Sequence, residues 1–235
     1  MTPSPLFDRL QILTGKETLT RLAGLRVAVF GLGGVGSWAA EGLARSGVGH
    51  LTLIDSDVVD VTNINRQVQT HSSNIGRPKC RELMDRLQLI NPDCSLEALQ
   101  KFYRPENAGE FDLAGFDHVL DCIDTVPSKV HLIRHAFDAG ATVYSSMGAA
   151  FKLDPTRIRT ASIWKTEGCP LARIIRRKLR EADFAGEVTA VFSPEALPVK
   201  ERRVNGSAVF VTACFGMALA GLVIRDQMGN RAGKM

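Results

Sequence analysis

The sequence predicts an α/β protein in which a mostly parallel sheet carries helices on both faces and is followed by an antiparallel C-terminal extension. Two observations support this fold class. Short apolar runs alternate with amphipathic runs from residue 26 to residue 147, and a glycine-rich loop follows the first apolar run. The composition is that of a folded chain, since 45% of the 235 residues are hydrophobic and 23% are charged. We expect a single domain over residues 1–235, whose two parts meet near residue 156.

The predicted strands are short apolar runs bounded by polar or turn residues. They cover residues 26–31, 50–55, 95–100, 118–124 and 142–147, and residues 157–164 supply a strand of the antiparallel extension. The predicted helices repeat apolar residues at helical spacing, and they cover residues 35–46, 79–90 and 126–139, with a further helix from Pro170. Residues 183–206 show little periodicity, so we expect a crossover or a mobile loop there.

A stretch without charge, residues 208–224, raises the question of a membrane span. A spanning helix needs about 20 apolar residues, so this run is slightly short. Its Gly216 and Gly221 suit close packing against another helix, and we expect a buried helix and no membrane contact. The five cysteines include no C-x-x-C pair and the first residues do not resemble a signal peptide. We therefore expect free thiols and a cytoplasmic location.

Charge is unevenly distributed along the chain. Residues 1–156 carry a net charge of −3, whereas residues 157–235 carry +7. This asymmetry indicates an anionic partner for the C-terminal part, although a solvated basic surface would have the same composition. The basic residues concentrate in the helix predicted from Pro170, around one apolar face. They are Arg173, Arg176, Arg177, Lys178 and Arg180.

The glycine-rich loop reads GLGGVG and fits the pattern G-x-G-x-x-G between a strand and a helix. Gly31, Gly33 and Gly34 allow a tight turn whose backbone N–H groups can approach a phosphate. Gly36 lets the helix lie close to the strand, and Asp55 follows the second strand, where a carboxylate can bind ribose hydroxyls. These residues predict a Rossmann-like, nucleotide-binding fold; the alternative is a turn that is merely rich in glycine.

The glycine loop and Asp55 suit a nicotinamide enzyme as well as an enzyme that binds a nucleoside triphosphate. The residues after Asp55 favour the triphosphate. Asn63 and Arg66 lie in a polar loop where a dinucleotide fold usually begins a helix, and Lys79 starts the next predicted helix. We expect Arg66 and Lys79 to bind phosphates, with Asp124 at a magnesium ion. The predicted nucleotide-binding set also includes Asp57 and Gln67.

Each of these residues also has an ordinary structural interpretation. Arg66 and Lys79 could be surface charges, and Asp124 stands where it could cap the helix predicted over residues 126–139. Their combination favours triphosphate binding, because the carboxyl ends of parallel strands meet at one edge of a sheet and bring Asp55 and Asp124 together. The sequence offers no convincing hydride-transfer site and little chain for a separate substrate domain, which disfavours an oxidoreductase.

The chain resembles the ubiquitin-activating-type adenylating enzymes over residues 6–163. The similarity lies in the stretch from GLGGVGSWAAEGLARSG to VTNINRQ and in the segments IGRPK and DCIDT. It implies binding of ATP and magnesium, a homodimer, and formation of an acyl-adenylate from a carboxylate. It also implies that Arg9 reaches across the dimer to the nucleotide of the partner subunit. Whether a monovalent cation is required stays open.

One branch of this family shares further segments with the chain, namely SSMGAAFKLDPT, PLARIIRRKLR and GSAVFVTACFGMALAG, and it also lacks zinc-binding cysteines. The resemblance implies that the substrate is a tRNA adenosine with a threonylcarbamoyl group. That group would be cyclised with loss of water in a reaction that consumes ATP. The basic helix would then contact tRNA phosphates. The main alternative is activation of a ubiquitin-like sulfur carrier at its C-terminus, with a cysteine desulfurase or sulfur-acceptor system as a further partner. A non-catalytic nucleotide-binding scaffold is the remaining alternative.

The chain departs from that branch in two places. The segment after Pro198 is short, and Cys169 stands where the resemblance leads us to expect an acidic residue. Two interpretations of Cys169 remain. We favour an inert thiol, and the alternative is a nucleophile that forms a thioester or persulfide, since the start of a helix can lower the pKa of a thiol.

Overall fold

Seven strands form one sheet within the described part of the chain, residues 5–195 and 205–229. They are β1 (Arg26–Phe30), β2 (His50–Ile54), β3 (Ser95–Leu99), β4 (His118–Asp121), β5 (Thr142–Ser146), β6 (Arg159–Ser162) and β7 (Thr189–Phe192). Their order is β3-β2-β1-β4-β5-β7-β6. Only β6, which pairs with β7, runs antiparallel to its neighbour. The predicted fold class, a mostly parallel sheet with an antiparallel extension, is confirmed.

Seven α-helices surround this sheet in the described residues. They are α1 (Asp8–Thr14), α2 (Lys16–Gly24), α3 (Gly36–Arg45), α4 (Lys79–Ile90), α5 (Val126–Asp138), α6 (Pro170–Glu181) and α7 (Val209–Gln227). The prediction of α4 is confirmed at both ends, and α3 and α5 end within one residue of their predicted limits. The apolar faces that predicted these helices are buried on the two sides of the sheet.

The direction of the chain through the sheet reverses between β1 and β4. From β1 the chain moves outward to β2 and β3, and it then returns to β4 on the other side of β1. The loops after β1 and β4 diverge at this point, so the carboxyl ends of the central strands border a crevice. Residues 31–36 and 122–125 follow these two strands and therefore lie at the crevice.

The structure corrects two details of the predicted strands. β7 lies inside residues 183–206, where we expected a crossover or mobile loop; its four residues are too few for a periodic signal, and its pairing with β5 and β6 defines it. Residues 196–204 of that segment lie outside the described residues. They include Pro198 and the residues that directly follow it. The strand predicted over residues 118–124 ends at Asp121, because the Ile123 N–H donates to Asp121 Oδ1 and the chain turns out of the sheet.

The apolar stretch near the C-terminus forms α7. By length and composition alone this helix could cross a membrane. One of its faces packs on α3, where a Cβ on Gly216 would overlap the Val35 carbonyl oxygen. Phe215, Leu219 and Val223 are fully buried on α7. The glycine permits the close contact between helices that the sequence predicted.

Candidate nucleotide-binding site

A cavity of about 680 Å³ opens at the carboxyl ends of β1, β2, β4 and β5. This volume suits a small ligand. Of the predicted nucleotide-binding residues, all but Gly36 line the cavity. They are Gly31, Gly33, Gly34, Asp55, Asp57, Asn63, Arg66, Gln67, Lys79 and Asp124.

The glycine-rich loop forms the cavity wall between β1 and α3. Gly31 has a φ of +86°, and a Cβ there would lie 2.8 Å from the Cys122 carbonyl oxygen. Gly36 has a packing role, since its Cβ would overlap the Gly31 carbonyl oxygen. At Gly33 the nearest atom to a Cβ would be Gln67 Nε2, at 3.9 Å. The backbone near Gly33 is therefore the part of the loop that a phosphate can approach closely.

Asp55 directly follows β2, and backbone groups hold its carboxylate in place. Oδ2 accepts a hydrogen bond from the Leu32 N–H at 2.6 Å, and Oδ1 accepts one from the Asp57 N–H at 2.8 Å. Burial raises the pKa of Asp55, and the two hydrogen bonds and the nearby Lys79 oppose this shift. The carboxylate is thus oriented beside the glycine loop, where the ribose of a nucleotide can be bound.

Lys79 begins α4 and brings an ammonium group to the cavity. Its Nζ lies 2.8 Å from Asp57 Oδ2, and the exposed fractions of the two side chains are 7% and 64%. Lys79 is therefore not a surface charge. Because Asp57 is mostly in solvent and can move away, an anionic ligand can replace its carboxylate beside the buried ammonium.

The polar loop after β2 supplies three further side chains. Arg66 Nη1 donates to the Thr62 carbonyl oxygen at 2.7 Å and to Asn65 Oδ1 at 2.9 Å, so neutral groups hold the guanidinium at the cavity. Asn63 and Gln67 are buried. Gln67 Oε1 has no hydrogen-bond partner among the described residues, which leaves an acceptor for a ligand or a water molecule.

Asp124 lies just beyond β4, exposed at the cavity. It is not the N-cap of α5; that residue is Thr125, whose hydroxyl contacts Asp124 Oδ1 at 3.4 Å. An exposed carboxylate suits magnesium, which proteins bind through one or two carboxylates together with substrate phosphates. Residues 5–195 and 205–229 contain no cluster of three or more His, Cys, Asp or Glu side chains that could hold a metal ion without such a substrate.

A buried ion pair that the sequence analysis missed supports the loop that carries Asp124. Lys129 Nζ lies 2.8 Å from Asp121 Oδ2, and neither side chain is exposed. The same ammonium donates to the Ile123 carbonyl oxygen at 2.9 Å, and the Ser145 hydroxyl donates to Asp121 Oδ2 at 2.6 Å. The sequence contains one indication of this pair. Lys129 lies on the apolar face of a predicted helix, where a lysine requires a partner.

The cavity wall beside β5 and α6 was also not predicted. Ser146, the last residue of β5, and residues 147–152, which follow it, form much of this wall. Cys169 and Thr212 contribute from the starts of α6 and α7. Lys152 and Cys169 are each only 5% exposed. The structure places Cys169 in this wall, and its chemical role stays a prediction.

The basic helix α6 begins at the cavity and carries its cations outside it. Arg173, Arg177 and Arg180 are exposed, and their spacings of four and three residues place them on one side of the helix. The Arg180 guanidinium also lies 5.6 Å from the centre of the Trp164 ring. These three residues form what we call the arginine stripe.

The other predicted site residues lie outside the cavity in different settings. Arg176 points toward the protein and donates to the Thr166 carbonyl oxygen at 2.8 Å. Lys178 is exposed and pairs with Glu181 at 2.7 Å. Arg9 is exposed on α1 and does not line the cavity of its own chain.

The sequence matches the ThiF family over residues 7–225, which is most of the chain. The chain belongs to the ThiF family. This is a family of adenylating enzymes, so the resemblance stated above is confirmed at the level of the family.

Three similar proteins differ in how much of the chain they cover. The tRNA threonylcarbamoyladenosine dehydratase of Bacillus subtilis is 40% identical, and the match covers 94% of this chain and 93% of that protein. The crystal structure of the Escherichia coli tRNA N6-threonylcarbamoyladenosine dehydratase TcdA with ATP is 36% identical, with a TM-score of 0.89 over 97% of this chain and 96% of that one. The adenylyltransferase and sulfurtransferase UBA4 of Eremothecium gossypii is 35% identical over 57% of this chain and 30% of that protein.

Proposed function

We propose that this protein catalyses the ATP-dependent dehydration of N6-threonylcarbamoyladenosine in tRNA. The observation that carries the proposal is that Asp55, Arg66, Lys79 and Asp124, from four separate segments, converge on one cavity. The similarity to named dehydratases extends over both the nucleotide-binding part and the basic part of the chain. The similarity to UBA4 covers little more than half of the chain.

In this proposal ATP lies along the cavity from β2 to β4. Asp55 binds the ribose hydroxyls, and the backbone near Gly33 approaches the phosphates. Arg66 and Lys79 reduce the negative charge of the triphosphate through charge-assisted hydrogen bonds. Asp57, which pairs with Lys79 in this structure, moves toward solvent when the phosphates bind.

The reaction has two steps. An oxygen of the threonyl carboxylate attacks the α-phosphorus of ATP, pyrophosphate leaves, and an acyl-adenylate forms. The carbamoyl oxygen or nitrogen then attacks the activated carbonyl carbon, AMP leaves with the former carboxylate oxygen, and the carbamoyl group loses a proton. The protein contributes charge neutralisation by Arg66 and Lys79, worth on the order of 3 kcal/mol for each strong donor. No covalent intermediate with the enzyme is required.

Magnesium fits the donor set of the site. Asp124 would hold the ion together with phosphate oxygens, and the ion would neutralise charge on the phosphates. One exposed carboxylate beside a phosphate-binding loop suits an ion that takes most of its ligands from substrate and water.

We also propose a homodimer in which Arg9 reaches the ATP of the partner subunit. Ile12 and Leu13, on the same helix as Arg9, are 80% and 73% exposed, and Phe210 on α7 is 50% exposed. Such exposed apolar side chains favour an interface with a second protein surface. The test mixes two inactive variants, Arg9→Ala and Lys79→Met. Each mixed dimer contains one site with both residues intact, so activity should recover to about a quarter of the wild-type value; no recovery would contradict the shared site.

The tRNA would lie against the arginine stripe. From Arg173 to Arg180 the stripe extends about 10 Å along α6, at 1.5 Å per residue, and can meet more than one phosphate. Because α6 begins at the cavity, a tRNA held on the stripe is close to the site where its modified nucleoside reacts. Arg176 contributes less in this arrangement, since it donates to the Thr166 carbonyl oxygen. Lys178 lies 2.7 Å from Glu181, and Arg177 of the stripe pairs more loosely with the same carboxylate, at 3.5 Å.

We propose that the protein acts in the cytoplasm and not at a membrane. All five cysteines are free thiols, which suits a reducing compartment. The apolar helix α7 packs with one face on α3. Fractionation of cells that produce the protein would test this, and recovery with the membranes after a salt wash would contradict it.

A second candidate function is activation of a ubiquitin-like sulfur carrier, and the partial similarity to UBA4 favours it. This function would give Cys169 a possible role as a thioester or persulfide site and a cysteine desulfurase a role as partner. The Cys169→Ala variant distinguishes the two, because we expect it to retain turnover and ATP binding. Loss of turnover with intact ATP binding would instead support the nucleophile.

The main experiment incubates the protein with ATP, magnesium and tRNA that carries N6-threonylcarbamoyladenosine. Mass analysis of the nucleosides should show loss of one water from the modified nucleoside, with AMP and pyrophosphate as the other products. Unmodified tRNA is the control, and ATP should release no pyrophosphate in its presence. The proposal is wrong if modified tRNA remains unchanged while a carrier protein with a C-terminal glycine stimulates pyrophosphate exchange.

A further inference from the structure

Lys152 is a buried cation in the cavity wall that the roles described so far do not use. It follows β5 and is 5% exposed. Its Nζ donates to the Glu195 carbonyl oxygen at 2.6 Å. Within the described residues no carboxylate forms an ion pair with it. A buried ammonium that faces a cavity and donates its hydrogen bond to a neutral carbonyl is costly to maintain, even with the ionisable groups of Cys169 and Glu195 nearby, and an anionic ligand would offset that cost.

The position of Lys152 is held by the side chain of Glu195. The Glu195 carboxylate accepts hydrogen bonds from the N–H groups of Leu153, at 3.0 and 3.1 Å, and Asp154, at 3.0 Å. Glu195 is 7% exposed, so these contacts are sheltered from water. Its carboxylate fixes the backbone after Lys152 while its carbonyl oxygen receives the ammonium. Glu195 is therefore a positioning residue for Lys152.

Lys152 differs in location from the other cations that line the cavity. Those are Arg66, Lys79 and Lys101. Lys79 and Lys101 pair with Asp57 and Glu110, each in the part of the chain that precedes β4. Lys152 instead comes after the end of β5, and β5 is three strand spacings, about 14 Å, from β2, the strand that Asp55 follows. With ATP placed from β2 to β4 as proposed, the β5 side of the cavity is left for the group that attacks the nucleotide.

We propose that the Lys152 ammonium binds the carboxylate of the substrate that is to be adenylated, an assignment that rests on the proposed function. A carboxylate that approaches a triphosphate is repelled by its charge. A cation at the acceptor end of the cavity overcomes this repulsion and holds one carboxylate oxygen, leaving the other to attack the α-phosphorus. The residue thus selects an acid over an uncharged analogue.

Burial disfavours the charged form of Lys152, and a bound anion would stabilise it. Burial lowers its pKa, while Cys169 and Glu195 oppose the shift and Arg157 adds to it. A bound carboxylate stabilises the charged form and raises the pKa again. A tRNA phosphate is a second source of negative charge, and the experiment below separates it from the carboxylate.

The test compares two anticodon stem-loop RNAs. One carries N6-threonylcarbamoyladenosine, and the other carries its methyl ester, in which a methyl group on one carboxyl oxygen removes the negative charge. Binding is measured without ATP for the wild type, Lys152→Gln and Lys152→Arg. We expect the wild type to prefer the acid at least about tenfold, Lys152→Gln to lose the preference, and Lys152→Arg to retain most of it. Lys101→Gln is the matched control and should keep the wild-type preference.

Two results overturn the assignment. One is a wild type that binds acid and ester equally, and the other is a Lys152→Gln variant that keeps the tenfold preference. If Lys152→Gln weakens both RNAs by the same factor and leaves their ratio unchanged, the lysine contacts a tRNA phosphate and the assignment is likewise wrong. Should the Gln variant fail to fold, judged by circular dichroism and thermal unfolding, Lys152→Met keeps the aliphatic stem and is measured in the same way.

Failure of this inference is distinguishable from failure of the proposed function. If the wild type with ATP forms no dehydrated nucleoside from the acid RNA, the proposed function is wrong. If the wild type forms product but Lys152→Gln retains its acid preference and its KM for the RNA, only the assignment of Lys152 is wrong.

Discussion

The Lys129 ammonium lies 2.8 Å from the Asp121 carboxylate, and neither side chain has exposed surface. Lys129 also donates to the Ile123 carbonyl oxygen. The pair therefore connects the end of β4 to α5 and fixes the loop between them, which presents Asp124 to the cavity. The position of Asp124 therefore depends on Asp121 and Lys129, two buried residues that do not contact the nucleotide in the proposed binding mode.

Removal of Lys129 should destabilise the fold strongly. Lys129→Met leaves the Asp121 carboxylate buried without its cation, and we expect the free energy of unfolding to fall by about 3–5 kcal/mol. Urea denaturation measures this. The double variant Asp121→Asn/Lys129→Met should recover at least about 2 kcal/mol, because it leaves no uncompensated charge. The exposed pair of Lys101 and Glu110 is the control, and Lys101→Met should cost less than about 1 kcal/mol.

Substitution of Gly36 should impair the glycine loop although the residue does not line the cavity. The Cβ of Gly36→Ala would overlap the Gly31 carbonyl oxygen, so the loop or α3 has to move. We expect ATP affinity to fall at least about tenfold, measured by calorimetric titration. Gly24→Ala in α2 is the control, because no atom lies within 4 Å of its Cβ, and it should bind ATP as the wild type does. Equal affinity of the two variants would show that the loop tolerates the shift.

Replacement of Lys79 should weaken ATP binding without unfolding the protein. Lys79→Met fits the same buried space but cannot bind a phosphate, so we expect the dissociation constant to rise about 10- to 100-fold. Arg77→Met removes a neighbouring charge that is 67% exposed and pairs weakly with Glu82. That variant should bind ATP within about twofold of the wild type. A similar loss in both variants would indicate general electrostatics rather than a specific contact.

The buried Glu41 should make stability depend on acid pH. Burial alone would raise its pKa, but hydrogen bonds from Arg86 and Arg45 more than offset this, and the pKa is lowered from its ordinary value of 4.5. Its contribution is therefore present above pH 4.5 and is lost as pH falls through the lower folded-state pKa. We expect Glu41→Gln to be less stable than the wild type by about 2 kcal/mol at pH 7 and the difference to shrink toward pH 3. A difference that stays constant from pH 7 to pH 3 would contradict this linkage.

The arginine stripe should determine the salt dependence of tRNA binding. In Arg173→Gln/Arg177→Gln we expect weaker binding at low salt and a slope of log K against log salt reduced by roughly 1.4 to 1.8, at about 0.7–0.9 per lost phosphate contact. Arg176→Gln is the matched control, since Arg176 donates to the Thr166 carbonyl oxygen. It should lower the melting temperature and leave the slope unchanged. An unchanged slope in the double variant would show that tRNA does not bind the arginine stripe.

Much of the nucleotide half could be predicted because its signals are local. A strand, a glycine loop and a helix follow one another over residues 26–46, and their periods and glycine spacing are visible within one short window. The positions of Asp55 and Lys79 at the ends of regular elements were also local signals. The rule that parallel strands end at one edge then brought these residues to a common crevice.

Residues whose roles depend on distant partners could not be placed in this way. The predicted basic helix was found, but its periodicity did not reveal that Arg176 turns inward to Thr166 while Arg173 stays in solvent. Lys152 and Glu195 are 43 residues apart, and although Lys152 lies in the shared segment SSMGAAFKLDPT, nothing in the sequence indicated its contact with Glu195. β7, with four residues, exists as a strand because β5 and β6 lie on its two sides.

The amino-acid sequence by itself determined the fold class and the glycine loop with Asp55, the acid that follows β2. These follow from contacts between residues close in the chain and from the periods of helices and strands. Only the tertiary structure decided which cations face the cavity and which form hydrogen bonds within the protein. It also showed that a buried Asp121–Lys129 pair supports the loop of Asp124. The reason is that burial and charge pairing depend on groups brought together across the sheet, and no local pattern specifies those neighbours.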